Sequence, residues 1–378
     1  MNGRRLRAIA RKEFLHILRD PRSLGMAIAM PILLLVLFGY ALTLDVDRVP
    51  LVVWDQSQSP VSRDFLSRFE GSRYFSAAGT VGNYRELEQA VDSGEALLGL
   101  VIPADFAARI ERGEFAPAQL LVDGSDSNTA SLAIGYAEAV ALDYSREVAL
   151  QQIRRAGGQL LPPPLEVRPR VWFNADLESK NYIVPGLIAV ILMVIAALLT
   201  SLTVAREWER GTMEQLIATP VQGKELIFGK LLPYWLIGML DVLLAVLLGY
   251  FVFRVPLRGS LILLFGMAGI FLAGVLSLGI LISVVARNQL LASQMAILLT
   301  FLPSFLLSGF MYPIPNMPPV IQGVTHLIPA RYFVALLKGI YLKGVGLGIL
   351  WGEAALLTVF SIAMIVLATR KFKKKLGP

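Results

Sequence analysis

Residues 23–44 are 22 consecutive positions without a charged side chain. At about 1.5 Å of rise per helical residue, such a run reaches about 33 Å, enough to cross the hydrocarbon core of a bilayer. Backbone in that medium must satisfy its own N–H and C=O groups, which leaves this run a helix. Five further apolar runs follow, at about 181–204, 229–252, 260–285, 290–311 and 347–369, each long enough to cross. The chain is 55% hydrophobic and 17% charged over 378 residues, more apolar sequence than a soluble domain buries. The expected fold is a mostly α-helical membrane protein with six transmembrane helices. The first run sits where a signal peptide would, but it is too long for one and lacks a small-residue cleavage site, so residues 23–44 are expected to stay as the first span.

Residues 45–179 change character. They hold 12 Lys/Arg against 20 Asp/Glu, while the rest of the chain holds 23 against 8. Short β-type runs (Leu51–Trp54, Ala96–Ile102, Gln119–Val122) alternate with helical runs near 60–70, 82–93, 103–112 and 127–155, which predicts a small soluble α/β domain. Leu161–Pro164 reads as a stiff turn and Val167–Phe173 as a last strand returning to the membrane. In VDGSDSNTA (122–130) the calcium-loop spacing is missing, and Ser125 or Asp126 is the expected cap of the following helix. No lipase-type G-x-S-x-G occurs, and the absence of cysteine excludes disulfides, thiolate metal sites and a cysteine nucleophile.

The basic residues belong to the flanks of the apolar runs. In RRLRAIARKEFLHILR (4–19), Leu6, Ala10, Phe14, Ile17 and Leu18 fall on one helical face among arginines, so residues 1–22 are expected to carry an amphipathic helix on the inner membrane surface. With the N-terminus inside, the inner flanks hold 17 Lys/Arg and the short outer loops five. The positive-inside rule therefore places both termini in the cytoplasm and residues 45–179 outside. This use of the basic excess argues against nucleic acid as a partner, and a cysteine-free acidic domain suits a bacterial periplasm, with the spans in the inner membrane.

Between the second and third spans lies REWERGTMEQLIATP (206–220), too charged for the membrane and too short for a domain. Met213, Leu216 and Ile217 share a helical face, Gly211 and Thr212 separate it from the span with Thr212 as N-cap, and Pro220 stops it. Such a helix suits a groove on another protein; an ordinary charged loop at the membrane edge is the competing reading. Here the chain resembles ABC transporter permeases of the type-2 export superfamily, whose cytoplasmic signature leads from a Glu-rich segment into G-T-x-E-x-L-x-x-T-P. Glu207, Glu209, Gly211, Thr212, Glu214, Leu216, Thr219 and Pro220 match it. KEFLHILRDPR (12–22) and LSGFMYPIPNMPPVIQGVTHLIPARYF (307–333) are similar to the family's interfacial helix and to its Pro-rich hairpin before the last span. The large domain after the first span fits the drug-exporter branch. The resemblance implies that 206–220 is a coupling helix docking on ABC ATPase subunits that bind ATP and Mg, this chain itself holding no cofactor. It also implies pairing with a second copy or a homologous permease. The chain has no P-loop, so the ATPase is expected to be a separate polypeptide and this chain not to be an enzyme.

Residues 303–333 carry five prolines between Pro303 and Pro319, against a continuous helix. A re-entrant hairpin lining the exit path, with Gly309, Pro313, Met317 and Pro318, is one reading, and a plain outer loop the other. Asp241 lies near the middle of its span and Glu353 near the start of the last. One reading makes each a contact for a cationic substrate; the structural alternative is a protonated or hydrogen-bonded acid holding spans together for Asp241, and a side chain reaching the interface for Glu353. His16 and His326 are read as structural.

The first functional reading is thus the permease subunit of an ATP-driven exporter for a hydrophobic or amphiphilic compound, a drug or lipid, in contact with membrane lipid and with a periplasmic adaptor on the outer domain. The second is a membrane-anchored receptor or scaffold whose exposed domain binds, without an ATPase. An ion-driven transporter, the third, would show internal repeats and paired broken helices, and the insertion after the first span argues against it.

Overall fold

The computed structural model describes residues 2–42, 48–155, 172–174 and 178–372. The chain divides into two compact units, one of residues 1–43 with 170–378 and one of residues 44–169. It begins with α1 (Gly3–Arg19), then α2 (Pro21–Leu24), which passes through a wide π-type stretch at Gly25–Ala29 into α3 (Met30–Ala41). Asn2 caps α1, its side chain accepting from the Arg4 N–H. The sequence assigns Leu6, Ala10, Phe14, Ile17 and Leu18 of α1 to the membrane surface, and the structure buries a second stripe beside them. Ile9, Glu13 and Ile17 are buried, whereas Phe14 and Leu18 are exposed. The cause is α10, introduced below, against which α1 packs. Apolar residues face lipid as readily as protein, so periodicity alone could not choose between the two stripes.

The second unit is an α/β fold: β1 (Val49–Asp55), α4 (Pro60–Glu70), β2 (Phe75–Thr80), α5 (Tyr84–Asp92), β3 (Leu98–Ile102), α6 (Phe106–Arg112), β4 (Gln119–Val122) and α7 (Ser127–Arg155). The sheet order is β2-β1-β3-β4, with β1 parallel to β2 and β3, and β4 antiparallel to β3. Strand period 2 divides the core. Val49, Leu51, Val53, Leu98, Leu100 and Ile102 meet Phe65, Phe69, Phe106 and Tyr144 on one face, while Val52 and Val101 meet Leu87 and Ala90 of α5 on the other. Asp126, not Ser125, caps α7. Its carboxylate accepts from the Thr129 hydroxyl and from the Asn128 and Thr129 N–H groups, which hold it below the usual carboxylate range. The strand β2, FSAAGT, escaped the sequence reading because two alanines and a glycine carry no β signal. The expected turn at Leu161–Pro164 and most of the expected strand at Val167–Phe173 lie outside the described residues; Trp172 and Phe173 are not in a strand.

The helical unit resumes with α8 (Ser179–Glu209), α9 (Thr212–Ala218), α10 (Gly223–Phe251), α11 (Leu261–Ala286), α12 (Gln289–Leu307), a 3-10 turn at Ile314–Asn316, α13 (Pro319–Thr325), α14 (Pro329–Lys338) and, past a second π-type stretch at Gly339–Lys343, α15 (Leu347–Lys371). Five of these, α8, α10, α11, α12 and α15, are long and apolar enough to cross a membrane. The first apolar run forms a shorter helix, Gly25–Ala41, and helices at Pro319–Thr325 and Pro329–Lys343 make a pair bent by 86°. The centre is α8, 89% buried over its apolar stretch, with α3, α10, α11, α12 and α14 around it. The basic tail beyond Phe372 lies outside the described residues.

Where water-driven burial is absent, helices associate through small residues and hydrogen bonds. Helix α11 shows both. Ser283 Oγ accepts from the Val204 and Ala205 N–H groups of α8 at 3.0 and 2.8 Å, and the Ser361 hydroxyl of α15 donates to the Ile270 carbonyl at 2.8 Å. Gly279 touches α8 so closely that a Cβ would meet the Ala197 carbonyl oxygen at 2.5 Å and overlap the Thr200 hydroxyl. Gly279→Val therefore drives α11 off the central helix. The expected result is a lower melting temperature and poorer recovery of detergent-solubilised protein, whereas Gly266→Val, where a Cβ meets open space, leaves both unchanged.

Candidate functional site

The segment 206–220 folds as three pieces. Arg206–Glu209 is the last turn of α8, so the span runs on past its apolar stretch. Arg210 caps it, and Gly211 turns the chain with φ +68°, a left-handed conformation that costs glycine nothing. Helix α9 then starts with Gly211 as its N-cap, and Thr212, expected in that role, is the first helical residue, its hydroxyl donating to the Glu207 carbonyl at 3.4 Å. The Thr219 hydroxyl donates to the Leu216 carbonyl at 2.7 Å, and the carbonyl of Pro220 accepts from the Arg5 guanidinium at 2.6 Å.

The apolar face of α9 is not presented outward. Met213 is 1% exposed and, with Leu216, meets Val221, Leu226 and Phe372 around a void of only 10 Å³. The Ile217 side chain lies outside the described part of the structure. What α9 does expose is Glu214, Gln215 and Ala218. Of the expected anchors, Met213 and Leu216 are thus taken up by neighbours on α10 and at the end of α15, and the described outward side chains Glu214 and Gln215 are polar.

A buried ion network lies directly behind α9. Lys230 of α10 has a side chain 2% exposed, and its ammonium lies 2.8 Å from Glu13 of α1 and 3.0 Å from Glu207 of α8. Lys12 reaches Glu207 at 3.2 Å. Arg206 meets His16 at 3.0 Å and Asp20 at 3.4 Å, while Glu209 accepts from the Gln289 N–H at 2.8 Å and from its side-chain amide. Glu225 accepts from the N–H groups of Asn2 at 2.6 Å and Gln222 at 3.0 Å. The network ties α1, α8, α10 and the start of α12 into one block from which α9 projects. A cavity of 160 Å³ adjoins it, bounded in part by Lys12, Arg206, Glu207 and Arg210, and Glu207 Oε2 has no hydrogen-bond partner among the described residues. Glu13 and Lys230 escaped the sequence reading. The available signal was a lone carboxylate one helical turn from both Ile9 and Ile17, and a lone lysine among apolar residues near the start of a span.

The Pro-rich segment differs from expectation at both ends. Helix α12 runs through Pro303 to Leu307, with the Ser304 hydroxyl donating to the Thr300 carbonyl, and the bent pair begins only at Pro319 and extends to Lys343. A proline late in a long helix loses one hydrogen bond, which the packed surroundings tolerate. The Gly309 carbonyl accepts from the Tyr182 hydroxyl at 3.1 Å and from Lys338 at 3.0 Å, and that ammonium sits 3.3 Å from the centre of the Tyr182 ring. Pro313 and Pro318 are exposed and Met317 is half-buried. Asp241 is 4% exposed, Glu353 half-buried, and neither has a hydrogen bond or ion pair among the described residues. The structure therefore joins Gly309 to the second span and to α14 but does not bind the two acids into a site. His326 meets the Tyr332 hydroxyl, which donates to its carbonyl at 2.8 Å. Among the described residues, no cluster of acids and histidines is placed to hold a metal.

Comparison with known proteins agrees with the motifs. The family model described as "ABC-2 family transporter protein" matches residues 21–370. "Probable multidrug ABC transporter permease YbhS" of Escherichia coli K12 is 41% identical over all of this chain and 98% of its own length, and "Probable multidrug ABC transporter permease YbhR" of the same strain is 30% identical over 98% and 99%. "ABC transporter G family member 20" of Dictyostelium discoideum is 23% identical over 97% of this chain, which spans half of it.

Removing one member of a buried ion group strands the others, at about 3–5 kcal/mol. Lys230→Met strands Glu13 among the described residues and leaves Glu207 only the exposed Lys12. A large drop in melting temperature is expected, insensitive to added salt because the group is shielded from solvent, with partial recovery in Glu13→Gln/Lys230→Met. A mutant as stable as wild type would show that the network does not hold α1 in place.

Proposed function

Because this chain belongs to the ABC-2 transporter family, we propose that it is the membrane-spanning permease subunit of an ATP-driven exporter, powered by ATP-binding subunits on separate polypeptides. The observation that carries the reading is the match of the family signature at Gly211–Pro220 to a short helix whose apolar side is anchored and whose polar side is free. A helix clamped on one face and backed by buried ion pairs is stiff, and a stiff protrusion is what transmits a partner's motion into spans. In this reading ATP and Mg bind the partner, and α9 is the coupling helix, with Glu214 and Gln215 as its contact face. Glu207 and Glu209 act from behind by fixing α1 and α12 to the end of α8.

Family membership supports a second copy or a homologous permease as the other half of the pathway. The printed names of the Escherichia coli relatives support a hydrophobic or amphiphilic drug-like cargo. The lysine and arginine bias supports both termini inside a bacterial inner membrane and the α/β unit in the periplasm, in reach of an adaptor protein. The link from Gly309 to Tyr182 and Lys338 supports a role for the bent pair as a seal on the outer side, with Asp241 and Glu353 as candidate polar contacts along the path.

The test is retention of the ATPase encoded nearest to this chain on affinity-purified full-length protein. Glu214→Lys reverses charge on the exposed face of α9 and is expected to reduce retained ATPase at least tenfold while protein yield and melting temperature stay at wild-type values. Met213→Ala, which opens the anchored face, is expected instead to lower stability by about 2–4 kcal/mol. Undiminished ATPase binding by Glu214→Lys would remove α9's polar face from the interface.

A further inference from the structure

The α/β unit contains an apolar crevice that the coupling site does not use. It encloses 220 Å³ between α4 and β2, the outer strand of the sheet among the described residues, with Leu51, Val53, Leu66, Phe69, Phe75 and Ala77 in its walls. The strand β2 is what leaves it open. Phe75 fills the α4 side of the strand and is buried, but two residues on Ala77 brings only a methyl group. The register then shifts between Leu51 and Val52, so that Gly79 pairs with Val52 of the opposite face and Thr80, opposite Val53, is the next residue on the α4 side. Ala77, Gly79 and Thr80 are exposed, with Leu66 and Phe69 of α4 forming the facing wall. Glu70 stands at the rim, exposed and without an ion pair among the described residues.

An apolar cavity of about 150 Å³ stays dry and accepts a single benzene ring. This crevice is larger and has room for two fused rings. Phe69 and Phe75, with ring centroids 5.1 Å apart, offer aromatic walls for offset or edge contacts. The rim carboxylate, on a segment with 20 acidic against 12 basic residues, favours a positive head group over a neutral or negative one. We propose that the crevice is a binding site for amphiphilic aryl-alkylammonium cations, the rings lying between α4 and β2 and the ammonium on Glu70. The proposal deepens the exporter reading by naming a ligand class, and it rests on that reading only for its part in transport, since binding is measurable without any ATPase.

The chain has no cysteine, so one introduced thiol reports alone. In the full-length protein in lipid nanodiscs, Thr80→Cys places that thiol at the crevice, and its alkylation rate by N-ethylmaleimide is followed against added 1-naphthylmethylammonium. Protection is expected with a half-effect on the order of 0.1 mM, a modest efficiency for a ligand of this size. Ala77→Leu fills the crevice and is expected to abolish protection. Glu70→Gln, an exposed change that leaves the fold alone, is expected to weaken it about tenfold, as loss of one charge-assisted contact does. The neutral isostere 1-naphthylmethanol is expected to protect about tenfold less well in wild type and equally in both backgrounds. Absence of protection, protection that survives Ala77→Leu, or equal protection of Ser67→Cys on the exposed side of α4 would overturn the site. Equal potency of amine and alcohol would overturn the ligand class. None of these outcomes bears on ATPase retention, so the crevice and the permease reading fail separately.

Discussion

The desolvated ammonium of Lys230 sets the arrangement of the helical unit's charged end. Taken out of water, it must meet carboxylates, and it meets two, on different elements: Glu13 of α1 and Glu207 of α8. Apolar contacts such as those of Ile9 and Ile17 tolerate sliding, because one methyl group is much like another. A buried cation with two acceptors does not, so α1 has one register against α10. Such a group adds little net stability over a well-packed apolar core, and its effect is to specify one arrangement.

Helix α9 inherits that rigidity. Met213 and Leu216 pack inward, Arg5 of α1 holds the Pro220 carbonyl, and Glu225 of α10 receives the backbone of Asn2 and Gln222. A push on α9 therefore acts on α1, α8 and α10 together. In the exporter reading, this is how closure of an ATPase reaches the spans: the central helix α8 ends directly at Glu209, and close helix contacts such as Gly279 against Ala197 carry its displacement into α11.

Much of this was legible in the sequence, and the limits are physical. The long helices end within a few residues of the apolar runs, as at Arg287, the C-cap of α11, because a charge marks where an apolar run stops. The signature around Gly211–Pro220 was readable because a left-handed glycine and a terminating proline are local requirements. The strand β2 was not, since two alanines and a glycine carry no β signal. The two ends of the Pro-rich pair were also misplaced: Pro303 looked like a break, but packing against α8 keeps α12 helical through it.

The sequence by itself determined that this chain is a membrane protein with an inserted α/β unit, because hydropathy and strand alternation are properties of residues in their local order, and the signature at 207–220 carried its likeness to ABC-2 permeases. Only the tertiary structure decided which stripe of α1 is buried, that α9 turns its apolar side inward, and that Lys230 joins Glu13 to Glu207 across 217 and 23 positions of sequence. Those outcomes depend on which surfaces meet. A lysine in a span and a carboxylate on an amphipathic helix each have several acceptable surroundings, and the fold selects the one in which both charges are satisfied at once.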